Sequence, residues 1–265
     1  MEGLIAYIDG IGWWSPGVPD WEHAARLLRG EDTATSDAAA KPAATVLPPT
    51  ERRRAPESVR LACEVAGQAC AMAAREPSTL ACVFASAHGD TATTDALCAT
   101  LADAPLETSP TRFHNSVHNA PAGYWTIAAQ CRASSSAIAA GPGTFAAGLF
   151  EAAVEARADA CAVLFAAYDI AACGALTDVV DNSAPFAVAL IVSHARSPRT
   201  CASLHLRHEA QAAPATAPPA RLAALAATNR IAAALPLFVA LANGEPTSLR
   251  LRNGAHTMLA IEVRP

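Results

Sequence analysis

Residues 134–145, SSSAIAAGPGTF, join an apolar stretch to a glycine turn and then to a run with helical periodicity. That order predicts a strand end, a tight turn and a helix, in which a nucleophile at the turn would feel the positive end of the helix. The nucleophiles nearest in sequence are Cys131 and the hydroxyls of Ser134, Ser135 and Ser136, and His114 and His118 lie upstream. A Cys-His acyl-transfer pair can be drawn from them. The plainer reading of Cys131 is a buried thiol, because unpaired Cys is among the most buried residue types. His114 and His118 are four apart and could share a helical face, but no third metal ligand stands near them, so hydrogen bonding at an interface is the simpler role. A second polar turn, Ser86-Ala87-His88-Gly89-Asp90, follows an apolar run. It reads either as a catalytic turn or as a loop in which His88 caps or contacts a partner. Asp169 and Asp181 lack the carboxylate-pair spacing that acid/base work needs.

Those residues require a scaffold. Residues 80–85, 160–166 and 186–193 are apolar runs of strand length bounded by turn residues. Unbroken rather than alternating apolar character is what strands covered on both faces require. Between them, residues 56–74 put Val59, Cys63, Ala66 and Cys70 on one helical face, and residues 144–156 repeat the pattern with Phe145, Leu149 and Ala153. Strands alternating with such helices predict an α/β fold, with a parallel or mixed sheet sandwiched by helices. Residues 1–9 read as a further strand, acidic rather than basic and so unlike a signal peptide. Residues 248–263 contain Asn253-Gly254, which suits a two-residue type I′ turn, and Leu249 and Leu251 on one arm with Leu259, Ile261 and Val263 on the other alternate as a hairpin does. Residues 221–242 read as an Ala/Leu helix broken by Pro236. Residues 34–49 and 210–219 read as loops, the second setting off a closing helix and hairpin. The Trp13-Trp14 pair could line a tunnel, but reads more simply as core and surface cover.

The chain has 265 residues, 52% of them apolar and 16% charged, which is enough for one body with a core on each side of a sheet and excludes general disorder. There is no stretch of eighteen uncharged apolar residues to span a membrane. The net charge is −5 and Lys41 is the sole lysine, so the single basic run, Arg52-Arg53-Arg54, reads as a solvated or pairing face rather than a nucleic-acid patch. Eight cysteines never form C-x-x-C, which argues against a zinc site or a disulfide framework and for buried free thiols. A cytoplasmic protein is expected.

Four segments now combine. Residues 6–16 (AYIDGIGWWSP) with 21–30 (WEHAARLLRG), then 48–54 (PPTERRR), 113–123 (FHNSVHNAPAG) and 148–160 (GLFEAAVEARADA) resemble β-ketoacyl synthases in order and spacing, over most of residues 1–195. The phrase FHNSVHN resembles the short ketosynthase-like subunits, called chain-length factors, of aryl polyene pigment pathways. The resemblance implies a thiolase-like fold, layered α-β-α-β-α, as one domain over 1–265 with a complete N-terminal half, 1–195, and an abbreviated C-terminal half, 196–265. It also implies a catalytic Cys at a strand-to-helix turn, served by two histidines and a lysine from the second half. Counting back from the helix puts that slot at or next to Ala139, and alanine cannot attack a thioester. Lys41 lies in the wrong half. Beyond residue 195, His205, His208 and His256 stand in neither a His-Gly-Thr-Gly-Thr turn nor a Gly-His motif.

The role so implied is binding. The chain is expected to pair with an active ketosynthase, or with itself, and to shape an acyl tunnel bordered by Ala139, Gly141 and Phe145. The partner contact is expected over residues 115–132, with His114, Asn115, Ser116, His118, Asn119, Tyr124, Trp125 and Arg132 as contact residues. An acyl-carrier protein would bind transiently, drawn by Arg52, Arg53 and Arg54. Two other readings stand beside this one: an acyltransferase or thioesterase-like enzyme using Cys131 or the serines at 134–136, and a homodimeric scaffold with a vestigial pocket. No cofactor, metal, nucleic acid or membrane is implied.

Overall fold

The adjacent tryptophans show how the sheet divides the molecule. Both close strand β1 (Leu4–Trp14), and because successive strand side chains point to opposite faces, they enter different cores. Trp13 packs edge-on against Phe186 and Phe238, whereas Trp14 joins the cluster that contains Val65 and Phe84. Both are buried, as core. The computed structural model describes residues 3–31, 41–210 and 214–265.

The further strands are β2 (Ala81–Ala85), β3 (Ser135–Ile138), β4 (Ala162–Asp169), β5 (Phe186–Ser193), β6 (Ala202–Ala210), β7 (Thr247–Arg252) and β8 (Thr257–Arg264). They form one mixed sheet of order β3-β2-β4-β5-β1-β6-β8-β7. β2 runs parallel to both β3 and β4, and the other neighbours are antiparallel. The helices are α1 (Trp21–Arg29), α2 (Pro49–Arg54), α3 (Glu57–Ala73), α4 (Thr91–Asp103), α5 (Pro110–Asn115), α6 (Ala120–Ala128), α7 (Thr144–Ala158), the single turn α8 (Ala223–Ala226) and α9 (Leu235–Asn243). α3 and α6 cover the face that carries Cys82 and Phe84, while α1, α7 and α9 cover the face that carries Val83 and Phe165. The C-terminal strands β6, β8 and β7 extend the edge of this same sheet beyond β1.

Local chemistry explains the docking. A Cβ on Gly12 would lie 2.0 Å from Val65 O, and one on Gly10 would lie 2.2 Å from Ala69 O. The G-x-G of β1 is therefore what lets α3 rest directly on the strand. Between those positions and Ile8 the register shifts, and buried Asp9 accepts hydrogen bonds from Ser193 Oγ–H and Thr200 Oγ1–H, both at 2.7 Å. α1 starts where Asp20 accepts from the His23 N–H and stops at Gly30, whose φ of 78° is open to glycine.

Three expectations change. The hairpin is present, but neither Asn253 nor Gly254 takes positive φ; the loop spans residues 253–256, with Asn253 N–H donating to Thr257 O, so the two-residue turn is replaced by a longer one. Pro236 does not break a helix. The chain turns at residues 227–229, where Asn229 caps the next turn through Ile231 N–H, and Pro236 occupies the first turn of α9, where its missing N–H is not needed. Not every thiol is buried: Cys98 and Cys201 are exposed, and Cys161 and Cys173 half-buried. Within the core, burial pushes Cys70 and Cys82 up to about 12, so both are thiols and not thiolates at neutral pH. Of the expected loops and the first strand, residues 1–2, 34–40 and 211–213 lie outside the described residues; 41–48 and 214–219 carry no helix or strand. Among the described residues no helix is long and apolar enough to cross a membrane.

Candidate functional site

β3 ends at Ile138, and α7 begins at Thr144. Between them Gly141 takes φ 52°, the left-handed conformation, two residues past Ala139, which is exposed. One hydroxyl holds the turn: Thr144 Oγ1 accepts from Ala140 N–H at 2.9 Å and donates to Gly141 O at 2.8 Å. The tip is thus a strand-to-helix elbow at the N-terminus of a fifteen-residue helix, and the side chains along it are two methyl groups, a proline ring and glycines. No thiol or hydroxyl stands at the tip.

The C-terminal hairpin closes over this elbow. A Cβ on Gly143 would meet Asn253 C at 2.8 Å and Gly254 N at 3.0 Å, so bare backbone at 143 is what allows the loop to seat there. Beside the contact a cavity of about 410 Å³ is lined by Pro142, Asn229, Leu251 and Arg252, with Arg230 paired to Asp181 at 2.7 Å on its wall. Phe145 does not border it. Its ring packs on Phe165 and Phe238 in the core, where α7 faces the sheet.

The other nucleophiles are accounted for differently. Cys131 is buried after α6, and its thiol donates to Leu80 O at 3.2 Å; no imidazole is among its hydrogen-bond partners. Ser134 Oγ–H donates to Glu155 on the exposed surface, a tie between the start of β3 and α7. Among the described residues no cluster of His, Cys, Asp and Glu could hold a metal ion.

The flank of the sheet edge has another character. His114 and Asn119 line a cavity of about 430 Å³ with Arg54, Val117, Tyr124 and Ile127, and His114, Ser116, Asn119 and Arg132 are exposed. Arg54 arrives from α2, so the arginine run and the histidine segment meet in space. Two expected contact residues are turned inward. Trp125 is fully buried against Phe84, and Asn115 is buried, accepting from Tyr124 Oη–H. Trp125 faces the body because α6 packs on α3 and β2 along that side. Around them the surface is apolar: Leu106 is 100% exposed, Ile127 71% and Phe113 67%. β3 itself is an edge strand whose side chains alternate between exposed and half-buried.

Sequence reasoning set Asp169 aside for acid/base work and missed that it organises this end of the sheet. Asp169, at the end of β4, is fully buried and accepts from Ser86 Oγ–H at 2.5 Å, His88 N–H at 3.2 Å and Ala87 N–H at 3.3 Å. Burial pushes its carboxyl above the ordinary range, against the pull of those donors. The parallel pairing of β2 with β4 brings the two segments together across 83 residues.

Comparison with known proteins agrees with this geometry. No curated protein matches the sequence. The structure is similar to that of a ketosynthase (ApeO) in complex with its chain length factor (ApeC) from Xenorhabdus doucetiae, with a TM-score of 0.72 and 25% identity over 98% of this chain and 99% of that one. It is similar to the ishigamide ketosynthase/chain length factor, with a TM-score of 0.69 and 15% identity over 98% and 99%. A type II polyketide acyl-carrier protein in complex with its ketosynthase, AntDE:AntF, gives 0.76 at 12% identity over 100% and 99%. These likenesses identify the thiolase-like ketosynthase fold. Residues 21–246 match the family model described as the N-terminal domain of β-ketoacyl synthase, and the chain belongs to that family.

Proposed function

We propose that this chain is the non-condensing, chain-length-factor-type member of a ketosynthase pair, built as one thiolase-like domain with a full first half, 1–195, and a shortened second half, 196–265. The observation that carries the reading is the elbow itself: the turn, its left-handed tip at Gly141 and the helix behind it are all present, while the tip bears no nucleophile. In a condensing enzyme the positive end of such a helix stabilises a thiolate; here nothing stands at the tip to ionise. The hairpin seats on Gly143 at the helix side of that turn, and the cavity beside it opens at Pro142.

The exposed apolar residues on α4 to α6 and the bare edge of β3 support pairing, since an uncovered strand edge and large exposed aromatics are costly in a chain that works alone. Of the residues expected at the contact, His114, Ser116, His118, Asn119, Tyr124 and Arg132 keep that role, joined by Phe113, Val117 and Ile127. Ala139 and Gly141 would border the acyl tunnel from this side. The carrier protein, an acidic partner by its phosphate-bearing arm, would meet Arg52, Arg53 and Arg54 on α2. A cytoplasmic setting goes with these partners. Co-expression with a ketosynthase encoded beside it tests the pairing: a stable 1:1 complex is expected, and a monodisperse homodimer that ignores the ketosynthase would replace this reading with a scaffold.

A further inference from the structure

Two buried groups connect the core of the sheet to the flank assigned above to the partner. Ser86, fully buried at the end of β2, gives its hydroxyl hydrogen to Asp169 and accepts from Gly89 N–H at 2.8 Å. Its backbone is engaged on both sides. Ser86 N–H donates to Ile138 O at 3.1 Å, which ties it to the end of β3, and Ser86 O accepts from His118 Nε2–H at 3.0 Å, which ties it to the segment entering α6. The imidazole lies over Gly89, whose φ is 66° and whose absent Cβ would stand 3.6 Å from His118 Cδ2. Asp169 also holds the closing segment, because its backbone oxygen accepts from Asn229 Nδ2–H at 3.0 Å.

We propose that Asp169 is a positioning residue for partner binding: through Ser86 it fixes the carbonyl on which His118 is hung, and so sets the orientation of residues 117–124 and the end of β3 together. This rests on the pairing reading. The chain of contacts is specific to that task. Asp169 takes three donors from a single turn, more than is needed to cap a strand, and the carbonyl of the first residue of that turn receives His118. Neither Ser86 nor Asp169 reaches the surface, so any effect of either on pairing is transmitted rather than direct.

The test measures two quantities on the full chain. In Ser86→Ala and in His118→Phe, amide exchange at Ala120 and Gly123, which donate within this turn to Val117 O and Asn119 O, should speed up about fivefold, the loss expected for one hydrogen bond. Affinity for the ketosynthase should fall by about the same factor in Ser86→Ala, exchange in the double variant should be no faster than in either single one, and His118→Gln, which keeps an N–H donor, should recover most of the exchange loss. Unchanged exchange at Ala120 and Gly123 in Ser86→Ala, or additive losses in the double variant, would overturn the proposal. If the wild-type chain pairs with no ketosynthase, the pairing reading falls, and the exchange data still decide whether Ser86 and Asp169 hold the segment.

Discussion

α7 and α4 are helices of similar length and similar Ala/Leu make-up, yet they end in opposite environments. α7 buries eight of its fifteen residues against the sheet, whereas α4 buries only Thr91. α4 is held instead by its first turn, where Asp90 accepts from Thr93 N–H and from Ser58 Oγ–H, both at 2.6 Å, and by Asp95 accepting from Ala175 N–H. Caps fix where a helix begins but contribute only about 1 kcal/mol. A helix anchored by polar ties with so little of its own surface buried is one whose packing is supplied from elsewhere, and the exposed side chains of Leu101, Leu106 and Phe113 mark where that packing belongs.

The contrast can be broken by substitution. Leu149→Ala in α7 removes a fully buried side chain and should cost about 2–5 kcal/mol in urea unfolding. Leu101→Ala in α4 should change the same measurement by no more than about 0.5 kcal/mol. A large loss at Leu101 in the isolated chain would mean that α4 is packed after all. Phe113→Ser should leave monomer stability within that same margin while weakening the complex by about 1–3 kcal/mol in a titration of the ketosynthase, as an exposed aromatic anchor does. Equal affinity for wild type and variant would place the interface elsewhere.

A smaller effect concerns Asp169. Its folded-state pKa is raised by burial above the ordinary 3.8, so the folded state holds a proton that the unfolded chain releases first. Its contribution is greatest below the ordinary carboxylate value and is lost as pH rises through the raised one. Relative to Asp169→Asn, the wild type should therefore lose stability with rising pH in paired unfolding curves. A wild type that gains on the variant as pH rises would reverse the assignment.

The unbroken apolar runs made the central strands legible, and helical periodicity made α3 and α7 so, because burial on both faces or along one stripe is written in residue type. The elbow was legible in outline from its glycines. Its tip was not fixed to the residue, since counting back from a helix carries the uncertainty of the helix start: the left-handed position is Gly141, and Ala139 precedes it. The hairpin loop escaped because its glycine serves a close approach, with Thr257 Oγ1 2.8 Å from the absent Cβ, and not the positive φ that Asn-Gly usually signals. Asp169 and Ser86 were illegible for another reason. Nothing within either segment shows that β2 and β4 will be neighbours, so a carboxylate and a hydroxyl 83 residues apart gave no shared signal.

The central claim is that the elbow keeps its shape without its chemistry. Incubating the co-purified pair with an acyl thioester and reading intact masses of both chains tests it most directly. The account predicts a stoichiometric acyl adduct on the ketosynthase and none on this chain, and no chain extension by Ala139→Cys or Gly141→Cys assayed without a ketosynthase. An adduct on this chain that disappears with Cys131→Ala would contradict it.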